Sequence, residues 1–158
     1  MEHQFTQILK WENIKLIAPN YNRRQFKNHK ISVEGKVDLN VSAAKTFKGD
    51  ETLLNPEDLL LSSLASCHMM SYLFCCEKAL VEVIQYEDHP IAFLEVHPEG
   101  SGRIKKVILK PKVLITDPLH IDLAKELHKK AKELCFIANS CNFEIEHQIE
   151  IICNNLNL

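Results

Sequence analysis

Six cysteines carry most of the chemical potential of this 158-residue chain. Two of them sit where a reaction could use them. Cys67 falls within a long apolar run, one helical turn from Ser63 and from Ser71. Cys135 closes a second helical pattern, beside its apolar stripe. Such a pair could cycle between dithiol and disulfide if its Cα atoms approach to within about 7 Å. Free cysteine is also among the most buried residue types and often serves as a small hydrophobe. That reading covers Cys75, Cys76, Cys141 and Cys153. No CxxC occurs, so the spacing of a thioredoxin-type motif or a zinc knuckle is absent. Cys67 and His68 are adjacent rather than a turn apart, a poor pair of metal ligands on a helix. A redox pair, inert core thiols and a metal site using Cys67 with His68 or Cys135 all remain open from the residues alone.

The elements that must position these thiols are marked by patterning. Asn55 is a good N-cap, Pro56 suits the first helical position, and Glu57 and Asp58 put negative charge where the helix dipole favours it. The helix so begun continues to about Ala79 and is apolar on nearly every face, which predicts a central, buried position. One chain of this length has difficulty enclosing it, which points to a dimer. From Leu59 to Cys76 the run has no charged residue over 18 positions and just reaches the length of a membrane span. Its serines, His68 and mainly acidic flanks favour a buried core helix and no membrane.

Before it, Gln4 to Trp11 and Ile14 to Pro19 read as strands, and His29 to Ala44 alternates on either side of Gly35 like a hairpin or a bent strand. A basic loop between them holds Arg23 and Arg24. After it, Val81 to Val96 and Arg103 to Thr116 read as strands around a Pro98–Gly102 turn. A second helix from Asp117 to about Asn139 follows, its stripe built from Leu123, Leu127, Ala131 and Leu134. Phe143 to Cys153 alternates as a final strand. The layout is α+β, in one domain over residues 1–158.

Apolar residues at 46% and charged residues at 25% allow a core of ordinary size. A net charge of −2 with interspersed signs argues against a nucleic-acid partner. The N-terminus lacks the apolar core of a secretory signal. Six cysteines without such a signal suggest the reducing cytoplasm, with free thiols.

Asn55-Pro56-Glu57-Asp58-Leu59-Leu60, followed by Ser-Leu-Ala-Ser-Cys67-His68-Met69, resembles the first signature of the OsmC/Ohr peroxidases. Ala131-Lys-Glu-Leu-Cys135-Phe-Ile-Ala-Asn139-Ser140 resembles the second. The order of strands and helices agrees over roughly residues 20–152, and His68-Met69-Met70 places the chain nearer a divergent OsmC-like branch. The resemblance implies an OsmC-like fold: antiparallel sheets around a long central helix, with a second helix, in an intertwined homodimer. It implies a thiol peroxidase that needs no cofactor or metal. Cys67 matches the peroxidatic position, Cys135 the resolving position, Glu57 the active-site carboxylate, and Arg23 the active-site arginine, with Arg24 as close competitor.

The chemistry of those residue types is coherent. A thiolate attacks the O–O bond; apolar burial disfavours it, and a neighbouring guanidinium favours it. A carboxylate would orient that guanidinium. Ten residues along one straight helix separate Glu57 and Cys67 by ~15 Å, so the expectation is that Glu57 of one subunit serves Cys67 of the other. The apolar residues Leu60, Leu64, Met70 and Phe74 predict organic hydroperoxides as substrates, with a thiol or dithiol as reductant. The competing expectation is the same fold binding a small ligand, its cysteines inert.

Overall fold

Alternating apolar residues around Gly35 form the expected hairpin, Gly35 supplying a φ of +74° at its turn. The computed structural model describes residues 1–18 and 20–153, in two compact units, Met1–Leu60 and Leu61–Leu158. In the first unit the hairpin strands β2 (His29–Ser32) and β3 (Leu39–Val41) join β1 (Ile8–Trp11) in an antiparallel sheet of order β1-β2-β3. Lys30 lies opposite both Lys10 and Asn40.

The segment expected as a strand from Ile14 to Pro19 is instead a single-turn helix, α1 (Ile14–Ile17). Asn13 explains the difference: its side chain accepts from the Lys15 amide at 3.2 Å and caps a helical turn, overriding the β preference of two isoleucines. Pro19 lies outside the described residues. The basic loop is a short 3-10 helix, Arg23–Lys27, closed by reciprocal bonds between Asn22 and Gln25.

The long helix α2 (Pro56–Lys78) begins where the cap predicts. Asn55 Oδ1 accepts from the Asp58 amide at 2.9 Å, and Asp58 Oδ2 accepts from the Asn55 amide at 3.1 Å. Leu64, His68, Tyr72, Cys75 and Cys76 form its buried stripe. Met70, Leu73 and Phe74 remain exposed on the single chain. Burial on nearly every face is therefore not achieved within one chain, because the described structure supplies packing partners to one side only.

The second unit is a ribbon of three long strands, each pinched near its middle. β4 (Val83–Asp88) runs into β5 (Ile91–Val96), β6 (Gly102–Leu109) into β7 (Pro111–Ile115), and β8 (Glu144–His147) into β9 (Glu150–Cys153). The halves form separate sheets of order β4-β7-β9 and β5-β6-β8, antiparallel on one side of the β6–β7 strand and parallel on the other. At the pinch, Asp88 Oδ1 accepts from the Lys110 amide at 2.7 Å, and the Gln148 amide donates to the Leu109 carbonyl at 2.8 Å. Side-chain and backbone groups thereby satisfy donors that the interrupted ladder leaves over.

The second helical pattern breaks at Cys135. α3 (Ile121–Leu134) ends there, and the one-turn α4 (Phe136–Asn139) starts again. The inward stripe of α3 is Ala124, His128 and Ala131, with Leu123 and Leu134 exposed. Of the predicted stripe, Ala131 is buried and Leu127 packs against the core, whereas Leu123 and Leu134 are exposed and Ala124 and His128 take the inward positions.

Candidate active site

Cys67 and Cys135 share one apolar cluster of the second unit. Leu64, Val107, Leu109 and Cys135 are its buried members, with Cys67, Leu61, Ile104 and Ile145 packed against them. All six cysteines are free thiols. The helix break explains the placement of Cys135: its backbone leaves the helical region at ψ 105°, and its Sγ accepts from the Ala138 amide at 3.4 Å. A residue type that is a weak acceptor thus caps α4. Burial pushes the Cys135 thiol well above the ordinary range, the Ala138 amide opposes that shift, and the neighbouring Cys67 thiol adds to it. Cys135 therefore holds its proton beside Cys67. The other thiols are engaged elsewhere: Cys141 Sγ donates to the Ile137 carbonyl at 3.2 Å, and burial raises both Cys75 and Cys76.

Glu57 and Arg23 belong to the first unit. Glu57 stands in the first turn of α2, and its Oε2 is buried with no hydrogen-bond partner among the described residues. Arg23 makes no ion pair among the described residues, whereas Arg24 reaches Glu51 at 3.7 Å.

A group of histidines went unrecognised in the sequence except for His68. His68 and His128 are 1% and 2% exposed, and His68 Nε2 lies 3.0 Å from His128 Nδ1. The His147 ring tilts against His68 at 4.5 Å, and Tyr72 stacks on His128 at 3.8 Å. The Tyr72 hydroxyl donates to the Ala124 carbonyl at 3.1 Å. Burial holds His68 down at about 4 and His128 at about 3, with neighbouring imidazoles acting the same way. His147 is held at about 4, by burial and then by Lys132. These rings are neutral at pH 7. The signal available in the sequence was His128 on the inner side of a helix otherwise rich in lysine; nothing local pointed to its partners. Among the described residues no group of three or more histidine, cysteine or carboxylate side chains is arranged to hold a metal ion.

The family model for OsmC-like proteins matches residues 47–150, two thirds of the chain. The chain belongs to the OsmC-like family. The uncharacterized protein YmaD of Bacillus subtilis (strain 168) is 27% identical over 121 residues, covering 73% of this chain and 79% of YmaD. An OsmC-like protein of unknown function from Vibrio cholerae, VCA0330, has a similar structure: TM-score 0.81, 26% identity, 96% of this chain and all of that one. An organic hydroperoxide resistance protein from Elizabethkingia anophelis shares the fold at TM-score 0.70 and 15% identity, covering 98% of this chain and 99% of that one. The α+β architecture expected of an OsmC-like protein is thus the one observed, with one amendment: the two sheets of the second unit are mixed rather than purely antiparallel.

Proposed function

We propose that the chain is a thiol-dependent peroxidase that reduces organic hydroperoxides to alcohols. The observation that carries this reading is the placement of Cys67 and Cys135 in one apolar cluster, close enough for one thiol to shift the other. Membership of the OsmC-like family, with a fold shared with an organic hydroperoxide resistance protein, supports it. The Cys67 thiolate attacks the O–O bond and takes one oxygen as a sulfenic acid; the alkoxide leaves and is protonated to the alcohol. The Cys135 sulfur then attacks the sulfenic sulfur. Its proton departs with the hydroxyl as water, leaving a disulfide that guards Cys67 against further oxidation. An external thiol or dithiol restores the pair by exchange.

Glu57 and Arg23 complete the site in this proposal. The unpartnered Glu57 oxygen can receive a guanidinium, and Arg23 is the arginine of the two left without an ion pair among the described residues. A homodimer brings Glu57 of one subunit to Cys67 of the other, ten positions along the same helix. The test is peptide mapping of the reduced protein after a small excess of an organic hydroperoxide, with hydrogen peroxide in parallel. A loss of two hydrogens mapping to Cys67–Cys135, faster with the organic hydroperoxide, is expected. Free thiols throughout, in a folded protein, would instead favour an OsmC-like ligand-binding protein with inert cysteines.

A further inference from the structure

We propose that the buried His68–His128 hydrogen bond is a positioning contact that holds Cys67 and Cys135 at the separation from which they form a disulfide. The inference rests on the reading of those two cysteines as a pair. His68 follows Cys67 directly on α2, and His128 stands two turns before Cys135 on α3, so the 3.0 Å contact ties together the same two segments that carry the thiols. An apolar contact at this point could slide; a hydrogen bond between two ring nitrogens fixes distance and direction.

The contact needs one ring nitrogen to donate and the other to accept, so it is lost when both rings are protonated. Each neutral imidazole carries one N–H, so one ring donates and the other accepts. The outer nitrogens, His68 Nδ1 and His128 Nε2, are buried and without partners among the described residues. Among the described residues no carboxylate is bonded to either ring. The groups facing the pair are Tyr72 on α2, Tyr86 on β4, Lys132 on α3 and His147 on β8. Asp88 lies beyond Tyr86 and is itself held towards its neutral form by burial. Two leftover polar atoms in a core are a cost that apolar residues of the same size would avoid. What the pair gives in exchange is a fixed geometry between the two helices. Tyr72 supports the arrangement, stacking on His128 while its hydroxyl is bonded one turn earlier on α3.

The experiment measures the equilibrium of the whole protein with glutathione at pH 7.5. Cys67–SH, Cys135–SH and oxidised glutathione exchange for the protein disulfide and two reduced glutathiones, so two electrons pass and no peroxide is needed. His128→Leu removes the contact and fills the space. His128→Asn keeps a hydrogen-bonding atom at the position of Nδ1. His128→Leu is expected to lower the equilibrium constant for the Cys67–Cys135 disulfide by about tenfold, and His128→Asn to restore most of it. Melting temperatures measured alongside separate positioning from packing, since an apolar leucine in the core need not lower them. Equal constants in all three proteins would overturn the proposal, as would a disulfide that never forms in the wild type. If His128→Leu does not fold, His68→Leu against His68→Gln, which keeps an atom at Nε2, gives the same contrast. A disulfide that responds as expected in a protein inert to hydroperoxides would remove the peroxidase reading and leave this one standing.

Discussion

Cys67 and Cys135 differ in what each brings to a reaction. Cys135 is fully buried and keeps its proton, while Cys67 is the less enclosed of the two. Replacing Cys67 by serine should therefore abolish reaction with hydroperoxide. Replacing Cys135 by serine should leave the first oxidation intact but strand the sulfenic acid, so intact mass should show further oxygens accumulating on Cys67. Disulfide formation in the Cys67→Ser protein would contradict the assignment. Tyr72 permits a second prediction at this scale. Tyr72→Phe keeps the stack on His128 and loses the bond to the Ala124 carbonyl, together with the hydroxyl's contact with the Cys76 thiol. A loss of about 1 kcal/mol in urea unfolding is expected.

Between elements, the histidine group joins α2, α3 and β8, and it makes their packing sensitive to acid. The three rings titrate near 4, 3 and 4 in the folded protein against an ordinary 6.5. Their folded values are depressed, so the unfolded chain takes up protons first as pH falls below 6.5. Stability is complete above that value and declines as the pH drops towards 4, by at most about 1.4 kcal/mol per pH unit for each proton of difference. Urea midpoints between pH 7 and pH 4.5 measure this. The slope should be shallower in His128→Leu, and an unchanged slope would mean that these rings are not the acid-sensitive groups. The same elements explain why so long a helix needs firm ends: the Asn55–Asp58 bonds fix its start, and the Val81 amide, donating to the Cys76 carbonyl at 2.9 Å, closes its end.

At the scale of the whole molecule, α2 leaves Met70, Leu73 and Phe74 exposed within little more than one turn, an apolar face of the kind that marks interaction surfaces. α2 is also the one helix among the described residues long and apolar enough to cross a membrane. A second copy of the chain is the occupant that would cover this face and, in the proposed site, bring Glu57 of one subunit to Cys67 of the other. Sedimentation should give twice the 18.2 kDa of one chain, and Phe74→Glu should shift it towards the monomer with loss of peroxidase turnover. A wild-type monomer at all concentrations, fully active, would exclude the shared site.

Much of this was legible in the residues themselves. The start of α2 follows from Asn55-Pro56, because caps are local hydrogen bonds made within one turn. The long strands of the second unit follow from period-two alternation, which a half-buried sheet requires. Cys67 and Cys135 were marked by two short motifs in the right order. What escaped was whatever depends on a distant partner. Asn13 turned an apparent strand into α1 through a bond whose strength against β propensity no pattern reveals. The buried stripe of α3 was legible at Ala131 and Leu127 but not at Ala124 and His128, whose inward places depend on the partners that α2 and the sheet supply. His68, His128 and His147 are scattered along the chain, and a polar group in a core is tolerable only where its partner stands. That partner is chosen by long-range packing, so tertiary structure alone decides that three scattered histidines form one neutral group beside the thiols.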